Sequence, residues 1–442
     1  MSVIVVGGGL AGLLTATELI SAGMDDVLLV EKSDSPGGVA RTISRDGFTF
    51  EPAVGAVALP HAHLSPILGR IGVEMESAAP TASARQVYTN GRLISIPLSP
   101  KALLAPVIPW PAKVRALAEV LSPSRDLADE SLANFCRRRF GRRAGDMVGW
   151  LMASGVYAGD PERLSARAAF PILRQLEVEA GSVLRGALAR RRHRQPGATR
   201  PGLHYPRDGM TALAQRAADF LGDGYRNGFE VESVRRDGGD WLVVGPETLR
   251  ADSVILATGP HRTADLVDAE LAEHLRELKT ARVVVVGLGG EGEDTLPGGF
   301  GALVGPGEGM LSRGLLYESS YAPDRAPEGA WLLKVIAGGS GVRPWGDDIA
   351  DVVRGEAETV IGRRLSPAVT IVVDDLPGIP QYEIGHLRWL DELDGLIEAR
   401  SGLHVTGWGY RGVGVTQLAT DALRVRNAVS GPNPRARQRP SQ

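Results

Sequence analysis

Three glycines and one glutamate near the amino terminus have the residue types and the spacing that bind a dinucleotide. Gly7, Gly9 and Gly12 lie within the run Gly-Gly-Gly-Leu-Ala-Gly, and Glu31 follows nineteen residues after Gly12. Gly7 permits a tight turn, Gly9 lets the backbone approach a pyrophosphate, and Gly12 lets a helix pack closely on a strand. Glu31 is placed to accept hydrogen bonds from a ribose. The pattern therefore predicts recognition of the pyrophosphate and the ribose of an adenine dinucleotide.

The flanking residues predict the βαβ unit that would hold these groups in place. Residues 2–6 are rich in β-branched side chains, which is typical of a buried parallel strand, and residues 27–30 predict a second strand. Between them, apolar residues recur with helical spacing from Leu13 to Ile20, and Gly23 can end the helix. The amino terminus of this helix would offer unpaired N–H groups and a positive dipole end to the phosphates.

A second glycine segment favours FAD over NAD. Gly37 and Gly38 permit close passage of the backbone, and Arg41 would either face the pyrophosphate or pair with a surface acid. Residues 53–56 are small and predict a loop that can approach a flat ring. Ordinary doubly wound NAD enzymes do not need this segment, so it indicates a flavin.

Composition limits the classes of protein to consider. A chain of 442 residues predicts two or three domains, and its formal net charge of −3 gives no electrostatic reason to expect nucleic acid as a partner. The single cysteine, Cys136, excludes an intrachain disulfide and a multi-cysteine metal site, and we predict no metal site of another kind. Since no secretory signal or transmembrane stretch is apparent, we expect a cytoplasmic protein with at most peripheral membrane contact.

The middle of the chain predicts a hairpin, a helical segment and a second sheet. Residues 84–98 form two alternating segments around Asn90-Gly91, a strong hairpin signal. Residues 99–195 predict helices, one of them capped by Asp129, and end in an arginine run from Arg190 to Arg194. That run predicts a solvated loop or helix end, with contact to an acidic ligand or anionic membrane as the alternative.

The last part of the chain predicts further strands and a disordered end. Strands are expected at 229–234 and 251–259, and a second sheet at 283–286, 314–318 and 331–336. The tail after Ser430 is rich in proline and arginine, which indicates disorder.

Four further stretches make the chain resemble the FAD-dependent protoporphyrinogen and coproporphyrinogen oxidases of the flavin amine-oxidase superfamily. The resemblance covers nearly the whole length in order. The stretches are Ser154 to Pro161 with Leu164-Ser165 and Phe170-Pro171, then Gly299-Phe300-Gly301, then Pro380-Gln381-Tyr382 with Gly385-His386, and finally Tyr410 to Val415.

The resemblance implies an α/β fold with three parts. A discontinuous, Rossmann-like FAD-binding domain would comprise residues 1–80, 203–268 and 395–430. A mixed-sheet substrate domain would comprise residues 81–98 and 269–394, with a helical insertion at 99–202 and a disordered tail at 431–442.

The resemblance also implies a set of contacts to non-covalent FAD and one contact to substrate. The cofactor residues would be Gly7, Gly8, Gly9, Leu10, Ala11, Gly12, Glu31, Lys32, Val39, Arg41, Ala53, Val54, Gly55, Ala56, Val231, Val413, Gly414 and Val415. Arg85 would face a substrate propionate, for which a planar guanidinium is suited. The chain departs from the family pattern at Ala53, commonly glycine, at Thr416-Gln417, often proline and aspartate, and at Trp408, which adds bulk near the flavin.

The function implied is oxidation of a porphyrinogen in haem biosynthesis, with O2 as the final electron acceptor. Either coproporphyrinogen III or protoporphyrinogen IX would serve as the tetrapyrrole, and a homodimer is compatible with the resemblance.

No catalytic base is assigned, because His386, Tyr382 and Tyr410 suit structural roles equally well. Two alternatives stay open: a flavin amine oxidase or desaturase acting on another small metabolite, and a flavin-binding protein without turnover. An NAD dehydrogenase is disfavoured, since Gly-Val-Gly-Val at 412–415 would then have no role.

Overall fold

A computed structural model of the protein describes residues 1–97, 105–124, 129–193, 201–292, 295–342 and 345–431. The strands of these residues, in chain order, are β1 (Val3–Val6), β2 (Val27–Val30), β3 (Ile43–Arg45), β4 (Phe48–Phe50), β5 (Val57–Leu59), β6 (Met75–Ser77), β7 (Ala84–Thr89), β8 (Arg92–Pro97), β9 (Gly202–Pro206), β10 (Tyr225–Arg226), β11 (Ser233–Asp237), β12 (Asp240–Val244), β13 (Thr248–Ala251), β14 (Ser253–Leu256), β15 (Thr280–Ala281), β16 (Val283–Glu291), β17 (Gly301–Val304), β18 (Ser312–Tyr317), β19 (Ala330–Gly338), β20 (Val369–Val373), β21 (Ile379–Pro380) and β22 (Leu403–Val405).

The α-helices of the same residues connect and cover these strands. In chain order they are α1 (Leu10–Ser21), α2 (Leu64–Arg70), α3 (Trp110–Leu117), α4 (Leu132–Phe140), α5 (Arg142–Tyr157), α6 (Ala166–Ala169), α7 (Pro171–Ala180), α8 (Val183–Arg192), α9 (Gly209–Leu221), α10 (Pro260–Ala264), α11 (Ala269–Arg276), α12 (Glu318–Tyr321), α13 (Ile349–Ile361), α14 (His386–Glu398) and α15 (Val415–Ser430).

The first sheet contains five strands in the order β10-β2-β1-β14-β22, all parallel. Side chains of β1 and β14 are buried throughout, because helices cover both faces of a parallel sheet. Helices α1, α9 and α15 share one apolar core on one face, and α11 and α14 share another core on the opposite face. The predicted βαβ unit and the α/β class are therefore confirmed.

The second sheet contains seven strands in the order β20-β16-β19-β18-β17-β7-β8. Its pairs are antiparallel except for β17 with β7, so the mixed sheet is also confirmed. The hairpin β7–β8 turns at Asn90 and Gly91, whose φ angles of 53° and 68° are those of a type I′ turn. Residue 98, the predicted end of this hairpin, lies outside the described residues.

Helices α3 to α8 form a separate layer inserted between the strands β8 and β9. The side chain of Ser131 caps α4 by accepting a hydrogen bond of 3.1 Å from the backbone N–H of Asn134. The prediction that Asp129 is this cap was wrong. Its carboxylate instead accepts hydrogen bonds from Ser165 Oγ and from the backbone N–H of Gly385, and so ties the helical layer to the start of α14.

The domain limits expected from the sequence stay predictions, and the packing of two helices bears on them. Helices α11 and α14, expected in the substrate domain, pack mainly in the core of the five-stranded sheet. The expected boundary at 394–395 falls within α14.

At the end of α8, Arg190 pairs with Glu179, whereas Arg194 and the tail beyond Gly431 lie outside the described residues. Within the described ranges, no helix is both long and apolar enough to cross a membrane.

Candidate functional site

The glycine loop between β1 and α1 has the geometry that a pyrophosphate requires. Gly7 has a φ of 111°, and a Cβ on Gly12 would overlap the carbonyl oxygen of Gly7. Gly9, by contrast, is extended, with φ −69° and ψ 171°, and a Cβ there would have only the Gly37 carbonyl within 4.0 Å. Glycines 7 and 12 are therefore required by the fold itself. Gly9 leaves room beside the amino terminus of α1.

Glu31 follows β2 directly and lies against this loop. Its carboxylate accepts hydrogen bonds from the backbone N–H of Gly8 at 2.5 Å and from that of Ser33 at 2.9 Å. Each carboxylate oxygen retains a second acceptor site. The backbone thus orients the carboxylate at the position where the sequence predicts a ribose, and the adjoining Lys32 is exposed.

The second glycine segment packs directly on the first. The N–H of Gly37 donates to the carbonyl of Gly8 at 2.8 Å, and the φ angles of Gly37 and Gly38 are 115° and 61°. Arg41 takes the second of its two predicted roles, because its Nη2 lies 2.6 and 2.8 Å from the two carboxylate oxygens of Asp375. The guanidinium holds the pKa of Asp375 below its ordinary value.

A cavity of about 450 Å³ lies between the two sheets and the helical layer. It brings together three groups of residues that the sequence assigned to the flavin, namely Val39, Ala53 to Ala56, and Val413 to Val415. The opposite walls come from strands β16, β18 and β19 and from the end of α5 at Gly155 and Val156. Val156 is 45% exposed, so the cavity reaches solvent there.

The two ends of the chain meet beside this cavity. Val415 belongs to the same apolar core as Leu10 and Ala11 of the glycine loop, and Gly407 lies near Ala11. A ligand with a phosphate end and a flat ring end can therefore contact the glycine loop and the carboxy-terminal segment at once. The individual flavin contacts stay predictions.

Val231, expected at the adenine, lies close to the end of β2. Its carbonyl accepts a hydrogen bond of 2.9 Å from Arg262 Nη2, and the nearby Phe229 N–H donates to the carbonyl of Glu31. The predicted strand at 229–234 was wrong for its first four residues, since β11 begins at Ser233. In the segment before it, Phe229 bonds to Glu31 and Val231 bonds to Arg262, and the Glu232 N–H donates to the carbonyl of Val244 on β12.

Arg85, on β7, lies beside the cavity. Its guanidinium carbon is 4.1 Å from the ring centroid of Phe300, a cavity residue, and Nη1 donates to the Ala82 carbonyl. Burial lowers the pKa of Arg85, although the group stays charged at neutral pH. Among the described residues, no carboxylate forms an ion pair with Arg85. The site thus presents a half-buried cation that an anionic ligand can approach.

A buried ionic cluster, which the sequence did not reveal, supports the same cavity. Glu318 lies between two cations, with Oε1 2.7 Å from Lys334 Nζ and Oε2 paired with Arg325. Lys334 also donates to the carbonyl of Glu51 at 2.8 Å, and Arg325 donates to the carbonyl of Gly55 at 2.5 Å. The cluster therefore fixes the backbone of the small-residue loop. The one available signal was Lys334, a charge within the apolar run 331–336.

Glu51 is fully buried next to this cluster. Its Oε1 accepts hydrogen bonds from Thr42 Oγ1 at 2.8 Å and from the Met210 N–H at 2.9 Å, at the start of α9. Burial raises the pKa of Glu51 to about 7, against the opposing charges of Arg325 and Lys334. Glu51 therefore becomes harder to ionise when the protein folds.

This raised pKa predicts a specific pH dependence of stability. Because the folded-state pKa lies above the unfolded value, the stabilisation from Glu51 is fully present below pH 4.5 and is lost as pH rises through about 7. The loss amounts to about 3 kcal/mol in the free energy of unfolding. Urea titrations at pH 5 and pH 8 should show that Glu51→Gln removes this difference. The control Glu273→Gln, at an exposed position of α11, should keep the difference in the free energy of unfolding between the two pH values. An equal difference in both variants would show that Glu51 is not its source.

The carboxy-terminal segment is supported by His386, Tyr382 and Tyr410, to which the sequence assigned no catalytic role. His386 stacks on Tyr382 with 4.0 Å between ring centroids, and its Nε2 lies 3.2 Å from the Tyr410 carbonyl. Tyr382 Oη accepts a hydrogen bond from the Gly412 N–H at 2.8 Å. Burial lowers the pKa of His386 to about 4, so the ring is neutral at pH 7. None of the three lines the cavity, and they hold residues 410–412 in place.

Comparisons with known proteins agree with this arrangement. A family model described as flavin containing amine oxidoreductase matches residues 10–411. Coproporphyrinogen III oxidase of Bacillus subtilis (strain 168) is 27% identical over 455 aligned positions, which cover 93% of this chain and 94% of the relative. Protoporphyrinogen oxidase of Homo sapiens is 28% identical over 484 positions, covering 98% and 99% of the two chains.

Two solved structures share the fold over most of the chain. A protein from Exiguobacterium sp. 255-15 described as a protoporphyrinogen oxidase matches with a TM-score of 0.82 and 22% identity, covering 97% of this chain and 98% of that chain. Reduced UDP-galactopyranose mutase matches with a TM-score of 0.76 and 16% identity, covering 97% and 95%. At these identities the two similarities concern the fold alone.

Proposed function

Because the chain belongs to the family of flavin-containing amine oxidoreductases, and is an FAD-dependent oxidase, we propose that it oxidises a porphyrinogen, with coproporphyrinogen III preferred over protoporphyrinogen IX. The observation that carries the proposal is a mostly apolar cavity with the half-buried Arg85 beside it. The names of the relatives support the same substrate class.

The walls of the cavity suit a large, flat, weakly polar substrate. Strands β16, β18 and β19 contribute Val283, Val285, Leu316 and Ile336, and Phe300 adds an aromatic face. Such walls favour pyrrole rings over water. The cavity volume does not enclose a whole tetrapyrrole together with a flavin, so the propionates would project towards solvent and towards Arg85.

The flavin, when bound, supplies the two-electron acceptor for removal of a hydride from a methylene bridge. The chain supplies orientation: apolar walls exclude water, and Arg85 fixes a carboxylate. Three such oxidations, each with loss of a proton, convert a porphyrinogen to a porphyrin, and O2 is reduced to hydrogen peroxide. Coproporphyrinogen III has four carboxylates and protoporphyrinogen IX has two. Because the ends of the substrate would lie outside the cavity, we expect the substrate with more carboxylates to be held more often through Arg85.

Anaerobic flavin bleaching tests the proposal most directly. Each porphyrinogen is added to the flavin-loaded protein in the absence of oxygen. Both coproporphyrinogen III and protoporphyrinogen IX should abolish the visible flavin absorbance, and coproporphyrinogen III should do so at the lower concentration. A panel of primary and secondary amines serves as the comparison. Bleaching by amines alone would contradict the porphyrinogen proposal and favour the amine-oxidase alternative.

Replacing Arg85 with alanine should raise KM for coproporphyrinogen III about 10-fold to 100-fold. A hydrogen bond to a charged group contributes about 1.5–3 kcal/mol, which corresponds to that range. Steady-state kinetics measure the change. The control Arg92→Ala, on the exposed adjoining strand β8, should leave KM unaltered. The KM for a porphyrinogen with esterified propionates should be the same for Arg85→Ala and for the unsubstituted protein. An unchanged KM for coproporphyrinogen III in Arg85→Ala would show that Arg85 does not bind a propionate.

A further inference from the structure

Trp408 carries a polar group that the rest of the protein leaves without a partner. Its indole Nε1 is buried, and within the described ranges no acceptor lies in hydrogen-bonding reach. A buried indole N–H ordinarily finds an acceptor, and leaving it unpaired costs about 1–3 kcal/mol. The indole N–H is a donor only, so the missing partner must be an acceptor.

The position of Trp408 identifies the acceptor. The side chain lines the cavity together with the flavin-ring residues Ala53 to Ala56 and Val413 to Val415. It also packs against the apolar core that contains Leu10 and Ala11 of the glycine loop. Trp408 therefore lies between the expected ring site and the expected pyrophosphate site. In FAD this interval is occupied by a polyhydroxylated chain that ends in phosphate, whose oxygens are acceptors.

The backbone around Trp408 is fixed on both sides. Gly407 and Gly409 have φ angles of 125° and 104°, which residues other than glycine rarely adopt. A Cβ on Gly409 would lie 2.7 Å from the Pro260 ring. Beyond it, Tyr410 is fully buried and its hydroxyl bonds to Thr263 Oγ1 at 3.2 Å. The fold thus fixes the backbone on both sides of Trp408, whose side chain lines the cavity.

We propose that Trp408 is a cofactor-binding residue that donates its Nε1–H to an oxygen of the ribityl–pyrophosphate chain of FAD. The residue positions the cofactor along the line from the glycine loop to the cavity. The inference requires FAD, which membership of the family supplies, and it does not rest on the porphyrinogen substrate.

The first test measures FAD affinity. Trp408→Phe keeps an aromatic ring and removes the donor, so the Kd for FAD, followed by quenching of flavin fluorescence on titration of the apoprotein, should rise about tenfold. Trp408→His restores a ring N–H and should recover part of the affinity. The control Trp110→Phe, at an exposed position of α3, should bind FAD as the unsubstituted protein does. Unaltered affinity in a folded Trp408→Phe protein would overturn the proposal.

The second test needs no folded variant. In the unsubstituted protein labelled with ¹⁵N, the indole N–H resonance of Trp408 should shift on addition of FAD, and its exchange with solvent should slow. The resonance is assigned by through-bond connection of the indole N–H to the sequentially assigned backbone of Trp408. An indole signal that neither shifts nor gains protection would reject the proposed hydrogen bond, whatever the result with any substrate.

Discussion

A Gly9→Val protein is expected to fold normally and to bind FAD at least about a hundredfold more weakly. Valine is tolerated by the apoprotein because Gly9 is extended and a Cβ there approaches only the Gly37 carbonyl, at 4.0 Å. The valine methyl groups would occupy the space through which the backbone reaches the pyrophosphate. Loss of two charge-assisted hydrogen bonds, each worth about 1.5 kcal/mol or more, accounts for the factor.

The measurement combines a thermal melt of the apoprotein with an FAD titration. The melting temperature should change little, while the Kd for FAD rises. Gly239→Val is the matched control, because a Cβ on Gly239 would have no neighbour within 4 Å and the residue is exposed between β11 and β12. FAD binding by Gly9→Val within threefold of the unsubstituted protein would show that the pyrophosphate does not lie at this loop.

The second large effect is expected at Glu318. Glu318→Gln should lower the free energy of unfolding by about 3–5 kcal/mol, because it removes the carboxylate that pairs with both of the buried cations, Arg325 and Lys334. Urea denaturation at pH 7 measures the loss. Glu247→Gln provides the comparison, since Glu247 pairs with Arg226 at the surface and should cost no more than about 1 kcal/mol. Equal losses in the two variants would mean that the buried cluster contributes no more than a surface pair.

The glycine loop could be predicted from sequence because its chemistry is local. A tight turn needs glycine at position 7, and close packing of α1 needs it at position 12, whatever the remainder of the chain does. The same holds for the hairpin turn at Asn90-Gly91, where both residues need positive φ. Residues 413–415 were placed through the resemblance to a family.

The ionic cluster could not be predicted, because its members come from separate parts of the chain. Glu318 follows β18, Arg325 lies in the next connection, and Lys334 is within β19. Lys334 alone is unusual in sequence, as a charge within an apolar run, and only the packing shows that the three share one site. The error at Asp129 has a similar cause: Ser131 was an equally good cap, and Asp129 is engaged by Ser165 and Gly385 from distant segments.

Helices α11 and α14 illustrate the same limit at the level of domains. A helix with an apolar face does not by itself specify which of two sheets it covers. Leu271 of α11 and Leu393 of α14 share one apolar core with residues of β14 and β22, which belong to the five-stranded sheet. Periodicity predicts that a face is buried, and the partner is fixed only in three dimensions.

The docking of α15 on α1 has a consequence for how the protein is made. Residues 418–425, on the last helix, complete the core beneath the glycine loop, and β22 forms the edge of the parallel sheet. A ribosome that has translated the first four hundred residues has therefore produced the nucleotide loop without the segment that closes over it. We therefore expect the complete flavin site to form only after residues 403–425 have been synthesised and have packed against α1 and β14.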